Sequence, residues 1–212
     1  MISIIIPAYN EEKYIERTLQ SIQKQRFKEF ETIVMCNGCT DRTGDVAKKY
    51  GSRVIKIKEK GVSKARNEGA KAAKYNKLVF LDADTLLSED TLEKISKLKG
   101  IGVSRAAADS KKLKARIYLK LKNIQHRLWG STGLIFCDKE VFNKIGGFDE
   151  NMTKGEVGKF VRAGKKIAQH HIADTYVYTS TRRYDKIGYW KIVKFWIREY
   201  RKPSNEEYEP IR

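Results

Sequence analysis

Through the first hundred positions, apolar residues come in short unbroken blocks, and each block is followed by a stretch with helical spacing. Ile2–Ile6 stops at Pro7; a run without alternation is the pattern of a strand covered on both faces. After it, Tyr14, Ile15, Leu19 and Ile22 fall on one helical face, with Asn10 as the expected cap and Glu11 and Glu12 in the first turn. ETIVMC (31–36) reads as a second strand, NGCTD (37–41) as a turn, and the stretch to Lys49 as a helix capped by Thr40 or Asp41. SRVIKI (52–57) is a third strand, a third helix opens at Gly61, and KLVFLDAD (77–84) is a fourth strand. This alternation predicts an α/β fold with a mostly parallel central sheet flanked by helices and joined by right-handed crossovers.

Beyond Thr85 the pattern is less regular. It predicts a helix over 88–98 capped by Ser88, an edge strand over 102–109 and a longer helix over 111–128. A strand over 131–138 and a short helix ended by Gly146 follow, then a helix over 156–163. KKIAQHHI (165–172) and TYVYTS (175–180) read as two strands, and 186–201 as a last helix. The organisation expected is one domain over 1–202, with a nucleotide-side half (1–100) and an acceptor-side half (101–202), followed by a polar tail at 203–212.

Ligands of open α/β sheets bind beyond the carboxyl ends of the strands. Pro7–Glu11, Cys36–Asp41 and Asp82–Asp84 all lie at such ends. Two carboxylates flanking Ala83 at the end of a buried strand are costly unless they hold something. If the chain turns there, both reach one centre, and their oxygens suit Mg or Mn bridging to substrate phosphates. A solvated turn is the alternative. The formal charge of +18 argues for an anionic partner, whether nucleic acid, an anionic membrane or a phosphorylated small molecule. No dinucleotide fingerprint, P-loop or nucleophile-elbow sequence is present. Cys36, Cys39 and Cys137 are too few for a disulfide framework, and the C-x-x-C pair lacks the second pair that a zinc site requires. A redox pair stays open at that spacing, beside a plain turn. With no cationic leader and no long apolar run, the expected location is cytoplasmic.

SIIIPAYNEEKYIERTLQSI (3–22), ETIVMCNGCTD (31–41), GVSKARNEG (61–69), LDADT (81–85) and IGGFDE (145–150) appear in this order. Together they resemble an inverting family 2 glycosyltransferase with the GT-A fold. The resemblance implies transfer of a sugar from a nucleoside diphosphate sugar to an acceptor, with Mg or Mn as cofactor. It implies that Pro7, Ala8, Tyr9 and Glu11 line the nucleotide pocket, with Tyr9 stacked on the base. Asn37, Gly38 and Asp41 match the turn that holds base and ribose, and Arg66 and Asn67 match an element beside the sugar nucleotide. Asp82, Ala83 and Asp84 match the D-x-D that holds ribose and metal-diphosphate, and Arg182 or Arg183 matches a diphosphate-binding arginine. His171 is a candidate to complete the metal site with Asp84, as a later histidine does in some relatives; a buried core position is the alternative.

Two departures stand out. The family usually carries an acid where Cys36 stands, and that acid reads the nucleobase, so the choice among UDP, GDP and dTDP sugars is open. The family also carries a Glu-Asp pair after G-G-F-D-E. Here Glu156 matches, Val157 replaces the Asp, and Asp149 and Glu150 are the fallback for the base. Aromatic and basic residues mix in GYWKIVKFWIREY (188–200), which suits a helix at a bilayer interface and a lipid-linked acceptor on the cytoplasmic face, or a core or homodimer helix. A basic nucleic-acid-binding protein and a catalytically impaired homologue acting as a scaffold are the competing classes.

Overall fold

The computed structural model describes residues 1–110, 112–129, 133–192 and 194, with the backbone alone at 121, 122, 124–129, 183 and 184. Its first half alternates β1 (Ile2–Ala8), α1 (Ile15–Gln23), β2 (Phe30–Asn37), α2 (Thr43–Lys49), β3 (Arg53–Ile57), α3 (Val62–Ala72) and β4 (Lys77–Leu81). Then come β5 (Thr85–Leu87), α4 (Thr91–Ser96), β6 (Ile101–Ala108), α5 (Leu113–Trp129), β7 (Leu134–Asp138), α6 (Lys139–Ile145), α7 (Glu156–Lys165), β8 (His170–Thr179) and α8 (Arg182–Ile187).

All eight strands join one sheet in the order β3-β2-β1-β4-β7-β6-β8-β5. The first four are parallel to one another; β7 and β5 run antiparallel to their neighbours, so the sheet is mixed. Strands β1 and β4 are buried along their whole length, which is why their sequences show no polar alternation. Even positions of β1 (Ile2, Ile4, Ile6, Ala8) pack with α1, α2 and α4 on one face, and Ile5 packs with α3, α6 and α7 on the other. Helix α3 lies close against β1 because Gly69 has no side chain: a Cβ there would stand 2.4 Å from Ile5 Cγ2. That approach sets the depth of Arg66 and Asn67 one turn earlier.

Several expectations need correcting. The 102–109 segment is not an edge: β6 lies between β7 and β8, and β3 and β5 are the edges. The two strands expected over 165–180 are one strand, β8, whose register against β6 slips between Ser104 and Arg105; the bulge places Asp174 and Thr175 outside the ladder. Strand β5 was not expected, since its three residues carry too little pattern to read. Asn10 does not cap α1. It takes a left-handed φ of 54°, the amides of Tyr14 and Ile15 bond to Glu11 O, and the helix starts at Ile15. Ser88 does not cap α4 through its side chain, which donates to Tyr176 O at 2.8 Å instead. The last helix starts earlier than expected, at Arg182, and breaks at Gly188, whose φ is 97°. Lys111 of the α5 expectation, 131–132 of the strand expected over 131–138, 193 and 195–201 of the last helix, and the tail at 203–212 lie outside the described residues.

Gly102 in β6 is a second close packing point. A Cβ there would lie 2.4 Å from Phe136 Cζ and 2.5 Å from the His171 carbonyl oxygen, so Gly102→Ala forces β8 or β7 to move. Overpacking of this kind costs about 1–3 kcal/mol. Urea unfolding of Gly102→Ala should show the midpoint falling with an unchanged slope; an unchanged midpoint would contradict the packing described.

Candidate functional site

The turns after β1 and β2 are stitched together by side chains from both. Asn10 Oδ1 accepts from Thr40 N at 2.8 Å and Asn10 Nδ2 donates to Thr40 Oγ1 at 3.1 Å. Glu11 N donates to Thr43 Oγ1 at 2.8 Å, and Glu12 N to Asp41 Oδ2 at 3.1 Å. The other oxygen of Asp41 accepts from Thr43 N at 3.0 Å and Thr43 Oγ1 at 2.5 Å. Burial works against the charge on Asp41, but the Thr43 and Glu12 donors outweigh it and hold its carboxyl below the usual range. Both its oxygens are therefore engaged by the protein, and it acts as a clasp between the turns. An acid two residues before a threonine that opens a helix is the sequence signal for such a clasp.

Beside the clasp, Pro7 and Ala8 end β1 as buried strand residues. Lys60 Nζ stands 4.8 Å above the Tyr9 ring. Gly38 takes a φ of 77°, and a Cβ there would meet Lys60 Cγ at 3.3 Å, Lys58 O at 3.4 Å and Tyr9 Cε2 at 3.8 Å. Asn37 is buried, and its Oδ1 has no hydrogen-bond partner. An aromatic ring, a lysine and an open amide oxygen thus face one turn; Lys60 was not identified from the sequence.

Asp82-Ala83-Asp84 forms the turn between β4 and β5. Thr85 N donates to Asp82 O at 3.1 Å, and Ala83 O accepts from Thr18 Oγ1 at 2.8 Å, so the segment is not extended. Arg182 Nη2 bonds Glu11 at 2.8 and 3.0 Å and approaches Asp84 Oδ2 at 3.3 Å. The guanidinium lies 4.1 Å from the Tyr14 ring centre, and its Nη1 is buried without a partner. Burial pushes the Asp84 carboxyl up to about 7, the Asp82 and Glu11 charges push the same way, and Arg182 opposes them. Arg183 belongs to α8, but its side chain is outside the described residues.

Arg66 is the second cation. Its side chain is 6% exposed, Nη1 donates to Glu156 Oε1 at 2.9 Å and Nη2 to Asp82 Oδ1 at 3.1 Å, over the Phe148 ring at 5.2 Å. Asn67 holds the loop that carries these acids. It accepts from Phe148 N at 2.8 Å and donates to Phe148 O at 2.9 Å and Glu150 Oε1 at 2.8 Å. The loop can approach only because Gly147 sits at φ 82°, where a Cβ would be 2.7 Å from Asn67 Oδ1. The three candidate bases are therefore sorted by their partners: Glu156 on Arg66, Glu150 on Asn67, and Asp149 on Lys159 at 2.6 Å. The Lys159 contact lowers the Asp149 carboxyl below its ordinary range.

His171 cannot complete a metal site with Asp84. It pairs with Gly102 at the start of β8, whereas Thr85, next to Asp84, pairs with Thr179 at its end. Eight residues of strand, at about 3.3 Å each, separate the two ends. His170 and His171 are core-side residues whose Nε2 atoms are buried, and burial lowers His170 to about 4. Among the described residues no group of three or more His, Cys, Asp or Glu could hold a metal ion. Two surface clefts, one lined by Arg26, Asp90, Lys94 and Asp174 and one by Arg17, Lys24, Leu86 and Tyr178, contain none of the site side chains.

Known proteins bear on this arrangement. The family model for glycosyl transferase family 2 matches residues 3–148. The glycosyltransferase EpsJ of Bacillus subtilis, whose own function is uncharacterised, is 34% identical over 101 residues, covering 45% of this chain and 29% of that protein. The 4,4'-diaponeurosporenoate glycosyltransferase of Staphylococcus aureus is 41% identical over 99 residues, covering 43% and 26%. This chain spans only 14% to 30% of the length of the curated relatives it matches. Among solved structures, S. aureus TarS 1-349 in complex with UDP-GlcNAc superposes with a TM-score of 0.70 at 21% identity, covering 85% of this chain and 58% of that one. The mannosyltransferase PcManGT of Pyrobaculum calidifontis, in complex with GDP-Man and Mn2+, superposes with a TM-score of 0.71 at 19% identity, covering 99% and 65%. At such identities the superpositions show a shared fold, a GT-A-like α/β domain with a mixed sheet. The family match takes in the clasped turns, Arg66, the two aspartates and the Gly147 loop, and by it the chain belongs to glycosyl transferase family 2.

Proposed function

We propose that the chain transfers a sugar from a nucleoside diphosphate sugar to an acceptor hydroxyl with inversion, using Glu156 as the base. The observation that carries this reading is the bridge through Arg66, which ties the candidate base to the D-x-D carboxylate Asp82 on one buried guanidinium. On this reading one buried guanidinium sets the spacing between the base and the donor-holding group.

Each residue then has a task. Tyr9, Asn37, Gly38 and Lys60 form the wall on which the nucleobase rests, and Asp41 keeps that wall in place through Glu12 and Thr43. With Cys36 buried where relatives place an acid, base recognition falls to Asn37 Oδ1 and the backbone of this turn. Arg182, with Nη1 unsatisfied, faces the diphosphate and carries positive charge toward the leaving group. The crowded carboxylates Asp82 and Asp84 fit a divalent cation: Asp84 is raised to about 7 by burial and by its acidic neighbours, a strain that Mg or Mn would relieve. An ion held by these two carboxylates would supply Lewis-acid stabilisation of the departing nucleoside diphosphate. Glu156 accepts the proton of the acceptor hydroxyl as its oxygen attacks the anomeric carbon, and the diphosphate leaves from the opposite face.

The mannosyltransferase neighbour was solved with GDP-Man and Mn2+ and the TarS neighbour with UDP-GlcNAc, which supports a sugar nucleotide and a divalent metal here. Trp190 is 78% exposed beside exposed Lys191 and Lys194, which supports an acceptor at an anionic lipid surface on the cytoplasmic face. No described helix is long and apolar enough to cross a membrane.

Calorimetry with a panel of nucleoside diphosphates and their sugars, with Mn or Mg and with chelator, tests the donor site. One preferred nucleotide should bind in a metal-dependent way, and Asp84→Ala should abolish that binding. No nucleotide binding by the wild type, together with salt-dependent binding of nucleic acid, would sink the transferase reading. Transfer assays test the base: Glu156→Gln should lower kcat by about 10²- to 10⁴-fold. Donor affinity should stay within about threefold, less than 1 kcal/mol. A Glu156→Gln enzyme with an undiminished kcat would move the base elsewhere.

A further inference from the structure

The turn after β2 carries two thiols that the transfer chemistry leaves unused. Cys36 is 2% exposed and lies in register with Ala8 of β1, while Cys39 follows the left-handed Gly38 and is half-buried. Both pack on one side of the sheet, against the core that holds Ile6 and Ala8. As a thiol, Cys39 donates to Ala8 O at 3.2 Å. The Asn10 backbone N–H also favours its thiolate. The Cys36 hydrogen bond above all draws Cys39 down to about 7, and the same contact, with burial, holds Cys36 protonated. Cys137, fully buried in β7, is kept protonated by burial and stands as an internal reference.

We propose that Cys36 and Cys39 are a reversible oxidation site, at which hydrogen peroxide closes a disulfide across the nucleotide turn. The Cys39 thiolate attacks one peroxide oxygen, the O–O bond breaks, and the hydroxide released takes up a proton to become water. The Cys36 sulfur then attacks the resulting Cys39 sulfenic sulfur, the S–O bond breaks, and the Cys36 proton leaves with that oxygen as a second water. The two thiols lose two electrons and the peroxide gains them. Cys39 is the attacking group because it is the more exposed and the more readily ionised; Cys36 resolves the sulfenic acid because it lies three residues away and packs at the same core cluster.

Closing the bond draws the two sulfurs to about 2.05 Å. That contraction removes the Cys39 hydrogen bond to Ala8 O and tightens the chain through Asn37 and Gly38. Tyr9 and Lys60 pack on Gly38, and Thr40, the next residue, is tied to Asn10. The nucleobase wall moves with them. This effect on the donor rests on the donor-site reading above; the disulfide itself does not.

The test treats reduced full-length protein with hydrogen peroxide and counts alkylatable thiols after denaturation, with peptide mapping of the link. The three free thiols should fall to one, Cys137, with the loss of two hydrogens, and a thiol reductant should restore all three. Cys39→Ser and, separately, Cys36→Ala should form no link. Oxidised wild type should bind its preferred nucleoside diphosphate roughly tenfold more weakly than reduced wild type, about 1.4 kcal/mol, and the reductant should reverse the loss. Three thiols surviving peroxide, or a Cys39 sulfinic acid with no link, would overturn the site. A disulfide that leaves nucleotide affinity unchanged would overturn its effect on the turn. A reduced protein that binds no nucleotide would count against the donor site and that effect, while the thiol count still decides the disulfide.

Discussion

The register of β1 against β4, from Ile2 opposite Lys77 to Ile5 opposite Phe80, is the constraint on which the site depends. Both strands are buried on both faces, so a slip of one residue would exchange the two sets of side chains between the two cores. That register brings the chain after Ala8 and the chain after Leu81 to the same edge of the sheet, and β2, in register from Ile2–Phe30 to Ala8–Cys36, brings the third turn there. Gly69 lets α3 lie on β1 closely enough for Arg66 and Asn67 to reach the same edge. The apolar blocks therefore do more than fill a core; they set the height at which polar groups emerge.

What emerges is an excess of negative charge in little space. Glu11, Asp82, Asp84 and Glu156 gather around two partly or fully buried arginines, Arg182 and Arg66. Burial first, and then the charges of Asp82 and Glu11, raise the proton affinity of Asp84, and Arg182 offsets them only in part. Arginine suits this task because its planar fork serves two acids at once and stacks on Tyr14 and Phe148, which a lysine would not do. The chain as a whole is strongly basic, with a formal charge of +18, yet it gathers these acids in one place.

Much of this was legible from local pattern. The first four strands and three helices were, because two-sided burial leaves unbroken apolar blocks and helices leave spaced ones. That Asp82 and Asp84 stand at a turn just beyond a buried strand was legible too, because the apolar block before them ends abruptly. Local pattern failed where a long-range partner decides. Asn10 looks like a cap and instead ties two turns together, and 102–109 looks like an edge and lies inside the sheet. His171 looks like a possible ligand near a second strand pair, but pairing of β8 with β6 and β5 places it at the far end of that strand from Asp84. Tyr14, Lys60 and Phe148 carry no signal of their own, since an aromatic beneath a cation is a fact about two distant residues.

By itself, the sequence determined the α/β alternation of the first half, the turns that follow its strands and the family to which the chain belongs. These follow from spacing and residue type within short windows, where backbone geometry leaves few choices. Only the tertiary structure decided which acid shares a cation with Asp82, which arginine stands beside Asp84, and that Asp149 is occupied by Lys159 instead. Ion pairs and ring contacts depend on distances between residues far apart in the chain, and those distances exist only once the sheet order and the bulge in β8 are set.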